Sequence, residues 1–277
     1  MLVVDNGSTD GSMDGVPARF PEFRVLANAA NLGYAGGNNA GIRATTAPYV
    51  LVVNNDTVLD PGLLEPLVAA AEADPRVASC SPKILYVDRP DVINAAGLLI
   101  HRDGSSGSRG MGEPDGPAWS APAEVFGAHG ACVLYRRAAL ERVGLFDEDY
   151  FAYNEEFDLA WRLRLAGFTA RYVPDARLLH HEAASLRRAP DRILYLMERN
   201  RIWTVVKNLG WPALAAHLPT LLAAEYRALR HVLGVRTLAP LTARAAALAG
   251  LPRMLRRRRE VQRLRAVPDS EIVRWMV

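Results

Sequence analysis

Short apolar runs alternate with helical stretches through the first third of the chain. Residues 2–4, 23–27, 49–53 and 77–81 read as strands, and 36–45 and 61–73 as helices, the second with Pro61 at its start. This alternation predicts an α/β fold, with helices flanking a mainly parallel sheet joined by right-handed crossovers. Ligands of such sheets collect at the carboxyl ends of the strands, where Asp5 and Asn54, Asn55 and Asp56 fall. Residues 86–125 interrupt the pattern. They are dense in Gly, Ser, Pro and Asp and read as a mobile surface excursion, either a lid or plain disorder. From Val125 a strand and a short helix follow, then a helix opening on Glu155, Glu156 and Asp158. A strand at 170–173 comes next, and then a turn, VPDARLLHHEAAS. Beyond Asp191 helix dominates to about residue 265, punctuated by Pro212, Pro219, Pro240 and Pro252.

Composition narrows the class. A chain of 277 residues, 50% hydrophobic and 23% charged, forms one large globular domain or a domain with a helical appendage. The division is placed at 1–205 and 206–277. The net charge of +3 is unevenly distributed: residues 253–265 are dominated by arginine, whereas the middle of the chain is acidic. Next to the Leu- and Ala-rich stretch 209–250, those arginines suit either a peripheral contact with an anionic leaflet or a solvated helical cap. They lack the aromatic interleaving of a nucleic-acid surface. Cys80 and Cys132 form neither a disulfide framework nor a metal knuckle, which fits a reducing, cytoplasmic setting. No signal-peptide pattern opens the chain and no clean apolar run is long enough for a secure membrane span. The first residues lie inside a strand, so the chain reads as cut at its N-terminus.

Several segments could carry chemistry. Glu155, Glu156 and Asp158 sit in a first helical turn, where acids complement the helix dipole. Read alone, that turn is a helix cap with a surface Asp158–Arg162 ion pair. Asn54–Asn55–Asp56 ends a strand with two amides and a carboxylate, the oxygen donors that Mg2+ or Mn2+ and diphosphates take, or simply a turn. NLGYAGGNNAGI at 31–42 is a glycine-rich approach to a helix, suited to close passage of phosphate or ribose. It matches neither the dinucleotide-binding glycine pattern nor a P-loop. His180 and His181 are placed in a loop, as metal ligands or as surface residues. No nucleophile elbow for serine hydrolysis occurs, and no lysine-bearing glycine signature of a sugar-nucleotide pyrophosphorylase opens the chain.

Taken in order, VVDNGSTDGS (3–12), NLGYAGGNNAGI (31–42), VLVVNNDTVLDPG (50–62), the segment 130–168, VPDARLLHHEAAS (173–185) and ERNRIW (198–203) resemble glycosyltransferase family 2, in its rhamnosyltransferase-like bacterial branch. The resemblance covers about residues 2–205 and implies a GT-A fold. It also implies inverting transfer of a sugar from a nucleotide-diphosphate donor to a glycan or lipid-linked acceptor in cell-envelope polysaccharide synthesis. By it, Asp5 would contact the nucleotide's base or ribose, with Asn31, Gly33 and Asn38 nearby. Asn54–Asn55–Asp56 takes the place of the family's D-x-D element, so Asp56 would hold Mg2+ or Mn2+ and His180 would complete the metal or diphosphate shell. The family's general base is the aspartate of an E-D pair. Here that position is Glu156, one methylene longer, with Glu155 and Asp158 as fallbacks. The family's first strand and helix are missing, which together with the Asp-to-Glu change leaves a catalytically silent sugar-nucleotide or glycan-binding module as the alternative. The implied location is cytoplasmic, on the inner face of the plasma membrane if the C-terminal helices bind it.

Overall fold

The computed structural model describes residues 1–181, 189–234 and 237–277. Strand β1 (Leu2–Asp5) pairs in parallel with β2 (Arg24–Ala27), the crossover between them holding the single turn α1 (Val16–Arg19). Helix α2 (Gly33–Arg43) starts three residues earlier than its apolar spacing predicts. Gly33 adopts a φ of 72°, open to glycine, and a Cβ there would strike the Phe151 carbonyl. That carbonyl accepts the Ala35 amide at 3.1 Å, which docks the helix N-terminus.

A seven-stranded mixed sheet carries the rest. It is built on β3 (Tyr49–Val53), β4 (Thr57–Leu59) and β5 (Val77–Tyr86), with α3 (Leu64–Glu72) between the last two. Helix α3 begins at Leu64, after Pro61 rather than on it. The stretch 86–125 is not an excursion. It forms β6 (Ile93–Ala95), the hairpin β7 (Leu98–Ile100) and β8 (Ser106–Ser108), and β9 (Ala123–Val125). Ile93, Leu98, Ile100, Trp119 and Val125 are buried there. Gly97, Gly104, Gly110 and Gly112 all take positive φ, so the glycines make tight turns between very short strands.

Strand β10 (Cys132–Arg136) inserts antiparallel between β3 and β5 and leads into α4 (Arg137–Val143). After α5 (Glu155–Leu165) comes β11 (Thr169–His180), parallel to β5 and antiparallel to β4 and β9. The turn expected at VPDARLLHH is therefore strand. Its Pro-Asp pair is absorbed as a bulge: the register passes from Val173↔Pro82 to Arg177↔Lys83, and the chain then continues to His180. Residues 182–185 of that motif lie outside the described residues. Both cysteines are free and buried, and burial pushes each thiol up to about 12.

Helices α6 (Pro190–Asn208), α7 (Trp211–Gly234), α8 (Ala239–Arg263) and α9 (Asp269–Val273) close the structure. The 205/206 division falls inside α6. Val205, Leu209, Val261, Ile272 and Met276 share one apolar cluster with Phe157 and Trp161 of α5. Among the described residues no helix is long and apolar enough to cross a membrane. Strands β1 and β3 are each paired on one side only, and both lie under α2. A Cβ on Gly41 would meet Val4 at 2.9 Å, while Ala35 and Ile42 pack in one cluster with Val52.

Candidate active site

Helix α5 is embedded between two apolar clusters, Phe157 and Trp161 facing one and Leu159 and Leu163 the other. Ten of its eleven residues are buried, and Glu156 is half-buried. The acids of its first turn consequently have three different fates.

Asp158 is fully buried, so the surface ion pair expected with Arg162 is an interior one. Its Oδ2 accepts Arg162 Nε at 2.9 Å; its Oδ1 accepts Lys207 Nζ and Asn208 Nδ2, each at 2.8 Å. Burial works to raise this carboxyl, but the Lys207 and Arg162 charges and the Asn208 and Lys207 hydrogen bonds outweigh it and hold the group down at about 2. Arg162 also donates to the carbonyls of Val143, Gly144 and Leu145, and Lys207 to Asp147 at 2.5 Å. Asp158 is thus a lattice point of the fold and is removed as a fallback base.

Glu155 and Glu156 differ in kind. Burial, then the neighbouring Glu156 charge, pushes the Glu155 carboxyl well above the carboxylate range, and burial pushes Glu156 up to about 7. One oxygen of each, Oε2, is buried without a hydrogen-bond partner among the described residues. The backbone that delivers them is strained: Phe151, Tyr153 and Asn154 all take φ between 66° and 69°. It is held from α6. The Asn200 amide donates to the carbonyls of Tyr150, Ala152 and Tyr153 at 3.1, 2.9 and 2.7 Å, and Arg199 donates to Tyr150 O at 2.9 Å.

Glu156 faces Gly130. A Cβ on that glycine would lie 3.7 Å from the Glu156 carboxyl carbon and 3.2 Å from the Tyr34 hydroxyl, which donates to Gly130 O at 2.6 Å. The same 129–131 loop reaches the strand ends. Ala131 O accepts the Asn54 amide at 2.9 Å, and the His129 ring lies 6.3 Å from that of His180. His180 is the last residue of β11 rather than a loop residue, paired with Thr57 of β4. Its Nδ1 is 3.0 Å from Asn94 Oδ1 and its Nε2 is 3.3 Å from Asp56 Oδ1, a buried oxygen with no aligned hydrogen bond among the described residues. With the Nδ1 proton on Asn94, the Nε2 lone pair and the carboxylate oxygen face each other. The 129–131 loop thus borders Glu156 at Gly130 and, through Ala131 and His129, the strand ends that carry Asn54 and His180.

The family model described as Glycosyl transferase family 2 matches residues 1–144. The chain is also 34% identical over 233 residues to the N-acetylglucosaminyl-diphospho-decaprenol L-rhamnosyltransferase of Mycobacterium tuberculosis, with 76% of each chain covered. The chain belongs to glycosyltransferase family 2. Among solved structures, GalNAc-T7 with UDP, GalNAc and Mn2+ superimposes with a TM-score of 0.57 at 15% identity, over 74% of this chain and 41% of that one. The mannosyltransferase PcManGT from Pyrobaculum calidifontis, in complex with GDP-Man and Mn2+, gives 0.51 at 20% identity, over 95% and 75%. Both likenesses show the GT-A fold.

Of the remaining expected residues of this glycosyltransferase, Asn31 and Gly33 gather around Asn6. The Asn6 amide donates to Asn31 Oδ1 at 3.2 Å and to Gly33 O at 2.9 Å, and its carbonyl oxygen accepts from Asn28 Nδ2 and Leu32 N, each at 3.1 Å. Asn31 Oδ1 caps the Gly33 amide at 2.9 Å, and Asn38 Nδ2 donates to Tyr34 O at 2.9 Å. Asp5, at the end of β1, accepts the Ser8 amide, which draws its carboxyl below the usual range. Asn55 is exposed, and Asn54 half-buried. Tyr34 and Gly33 of α2 connect the residues around Asn6 with Gly130 and Phe151. Asn94 and His129 were given no role in the sequence reading, and Asn6, Tyr34 and Asn200 stood inside its motifs without one. A His-Gly pair directly before a strand and the Arg-Asn of ERNRIW were the available signals.

Proposed function

We propose that this glycosyltransferase moves a sugar, rhamnose by analogy with its mycobacterial relative, from a nucleotide-diphosphate donor to a hydroxyl of a glycan or lipid-linked acceptor, with inversion. The acceptor named for that relative, a diphospho-decaprenol, supports an acceptor carried on a lipid diphosphate, which would be met at the cytoplasmic face of the plasma membrane. The observation that carries the reaction is Glu156, the one half-buried residue of α5, with one oxygen unpartnered among the described residues and a carboxyl raised by burial to about 7. A base with that affinity takes a proton in its transition state near neutral pH. Glu155, buried beside it, is less accessible to an acceptor hydroxyl.

In the reaction Glu156 accepts the acceptor hydroxyl's proton as that oxygen attacks the anomeric carbon, on the face opposite the diphosphate. Asp56 Oδ1 and His180 Nε2 are adjacent donor atoms without a proton aligned between them, which fits a divalent cation. Among the described residues no cluster of three or more His, Cys, Asp or Glu could hold a metal, so diphosphate oxygens would have to complete the shell. Held by Asp56 and His180, Mg2+ or Mn2+ would supply charge neutralisation for the leaving diphosphate. By the family resemblance, Asp5, Asn31, Gly33, Asn38, Asn54 and Asn55 would contact the nucleotide sugar.

The test is donor turnover by the purified chain with a nucleotide-diphosphate rhamnose, with and without acceptor and divalent cation. Cation-dependent release of nucleoside diphosphate is the expected result. Saturable donor binding with no release under any condition would identify a silent binding module instead.

A further inference from the structure

Helix α7 has two apolar faces, and the fold uses one of them. Ala213 and Ala224 are buried, and Leu214 and Leu221 pack into the cluster shared with α5. On the opposite side Trp211, Leu218, Leu222, Tyr226 and Leu229 recur at intervals of three, four and seven residues, one stripe along a helix. All five are exposed, Trp211, Leu222 and Tyr226 by 60%, 59% and 64%. Helix α8 repeats the arrangement. Leu241, Leu248 and Leu255 follow at seven-residue spacing on its solvent side, and the same side then turns cationic with Arg256, Arg259 and Arg263. The two stripes meet at a groove of about 810 Å³, with Trp211 and Pro212 on one wall and Leu255 and Arg259 on the other.

Charge selects the occupant. Helix α7 carries two arginines and one acid, α8 seven arginines and one acid. The α7 acid, Glu225, is engaged by Arg201 and Arg244, and Glu260 of α8 pairs with Arg257 at 3.8 Å. The face is therefore apolar with a cationic end, the pattern of a helix pair lying in a bilayer interface rather than crossing it. A second copy of this chain would set one arginine end against another or leave both unpaired. We propose that the outer face of α7 and α8 rests on an anionic phospholipid bilayer, with Trp211 at the headgroup level and Arg256, Arg259 and Arg263 over the lipid phosphates. The proposal does not depend on sugar transfer: a silent binding module would carry the same face, so vesicle binding and turnover can fail separately.

The experiment is flotation of the full chain with vesicles of equal parts phosphatidylglycerol and phosphatidylcholine, and with phosphatidylcholine alone. The wild type is expected to float with the anionic vesicles and to be released by salt. Replacing Leu218, Leu222 and Tyr226 together by serine is expected to weaken binding about tenfold or more, since three exposed apolar anchors are lost. Arg256→Gln, Arg259→Gln and Arg263→Gln together are expected to remove the preference for anionic lipid; these exposed sites serve as an independent test if the serine variant folds poorly. Binding that neither triple variant weakens overturns the proposal. So does a wild type that ignores vesicles and elutes as a dimer which the serine variant converts to monomer.

Discussion

Three carboxylates in one helical turn serve as opposite kinds of group, and the environment of each decides which. Asp158 is charged and saturated; Glu156 is half-buried, with one oxygen unpartnered among the described residues. Glu156→Gln is expected to lower transfer by at least about 10²-fold, the ordinary contribution of a general base, while donor affinity measured by calorimetry stays near wild type. The pH dependence follows from the raised carboxyl. Activity of the wild type should rise through about pH 7 as Glu156 loses its proton, and level off above it. Stability has the opposite sign. A carboxyl whose folded affinity exceeds its unfolded one binds more protons when folded, so stability falls as pH rises from the unfolded value toward 7. Glu156→Gln should therefore raise the melting temperature above pH 7 and hardly change it at pH 5. Asp158→Ala should behave otherwise. It strips a partner from buried Lys207 and Arg162, and a loss of about 3–5 kcal/mol in denaturant titration is expected, because breaking a buried pair leaves an uncompensated charge. An Asp158→Ala protein as stable as wild type would remove its assigned place in the interior.

At the scale of elements, the catalytic-side loop is only as good as the helix that holds it. Three non-glycine residues at positive φ cost about 1–3 kcal/mol each, and the Asn200 amide ties three carbonyls of that loop to α6. Asn200→Asp exchanges the donor for a carboxylate facing those carbonyls. We expect turnover to fall by at least about tenfold with donor affinity retained, since a base displaced by even an ångström loses its geometry; equal losses in both would show a general collapse instead. This dependence explains why some elements were legible in the sequence and others not. Strands at 2–4, 49–53 and 77–81 carry their own apolar runs, so local pattern sufficed. The stretch 86–125 does not: β6, β7 and β9 are three residues each, and they exist because β5, β8 and β11 offer edges to pair with. β11 was misread for a related reason. Its Pro-Asp pair is a turn signal locally, and only a long parallel partner such as β5 carries the chain past it as a bulge. The site followed the same rule. Glu156, Asp56 and His180 stood in recognisable motifs, whereas Asn94 and His129 matter through contacts to His180, 86 and 51 residues away, and Asn200 through contacts to Tyr150, Ala152 and Tyr153, 47 to 50 residues away, separations that no motif spans.

The whole molecule is more continuous than a catalytic domain with a detachable basic tail. Met254, Arg258, Val261, Ile272 and Met276 are buried, and Arg258 donates to the carbonyls of Val206 and Leu209, each at 2.6 Å, closing the end of α6. The last residue pairs into the hairpin that borders the site: Val277 N donates to Ile100 O at 3.0 Å, and Arg102 N to Val277 O at 3.1 Å. Helix α6 in turn supplies Lys207 and Asn208 to Asp158, and Asn200 to the loop before Glu156. Removing residues 253–277 should therefore not simply shed a charged surface. It uncovers the cluster shared with Phe157 and Trp161 and frees the carbonyl end of α6, with several large buried side chains lost at about 2–5 kcal/mol each against a total stability of about 5–15 kcal/mol. The truncated chain is expected to lose its cooperative thermal transition and to precipitate or bind a hydrophobic dye, whether or not lipid is present. A truncated protein that melts cooperatively near the wild-type temperature would show instead that the C-terminal arginines are an appendage, and that their place in the fold contributes nothing to the carboxylate they help to hold.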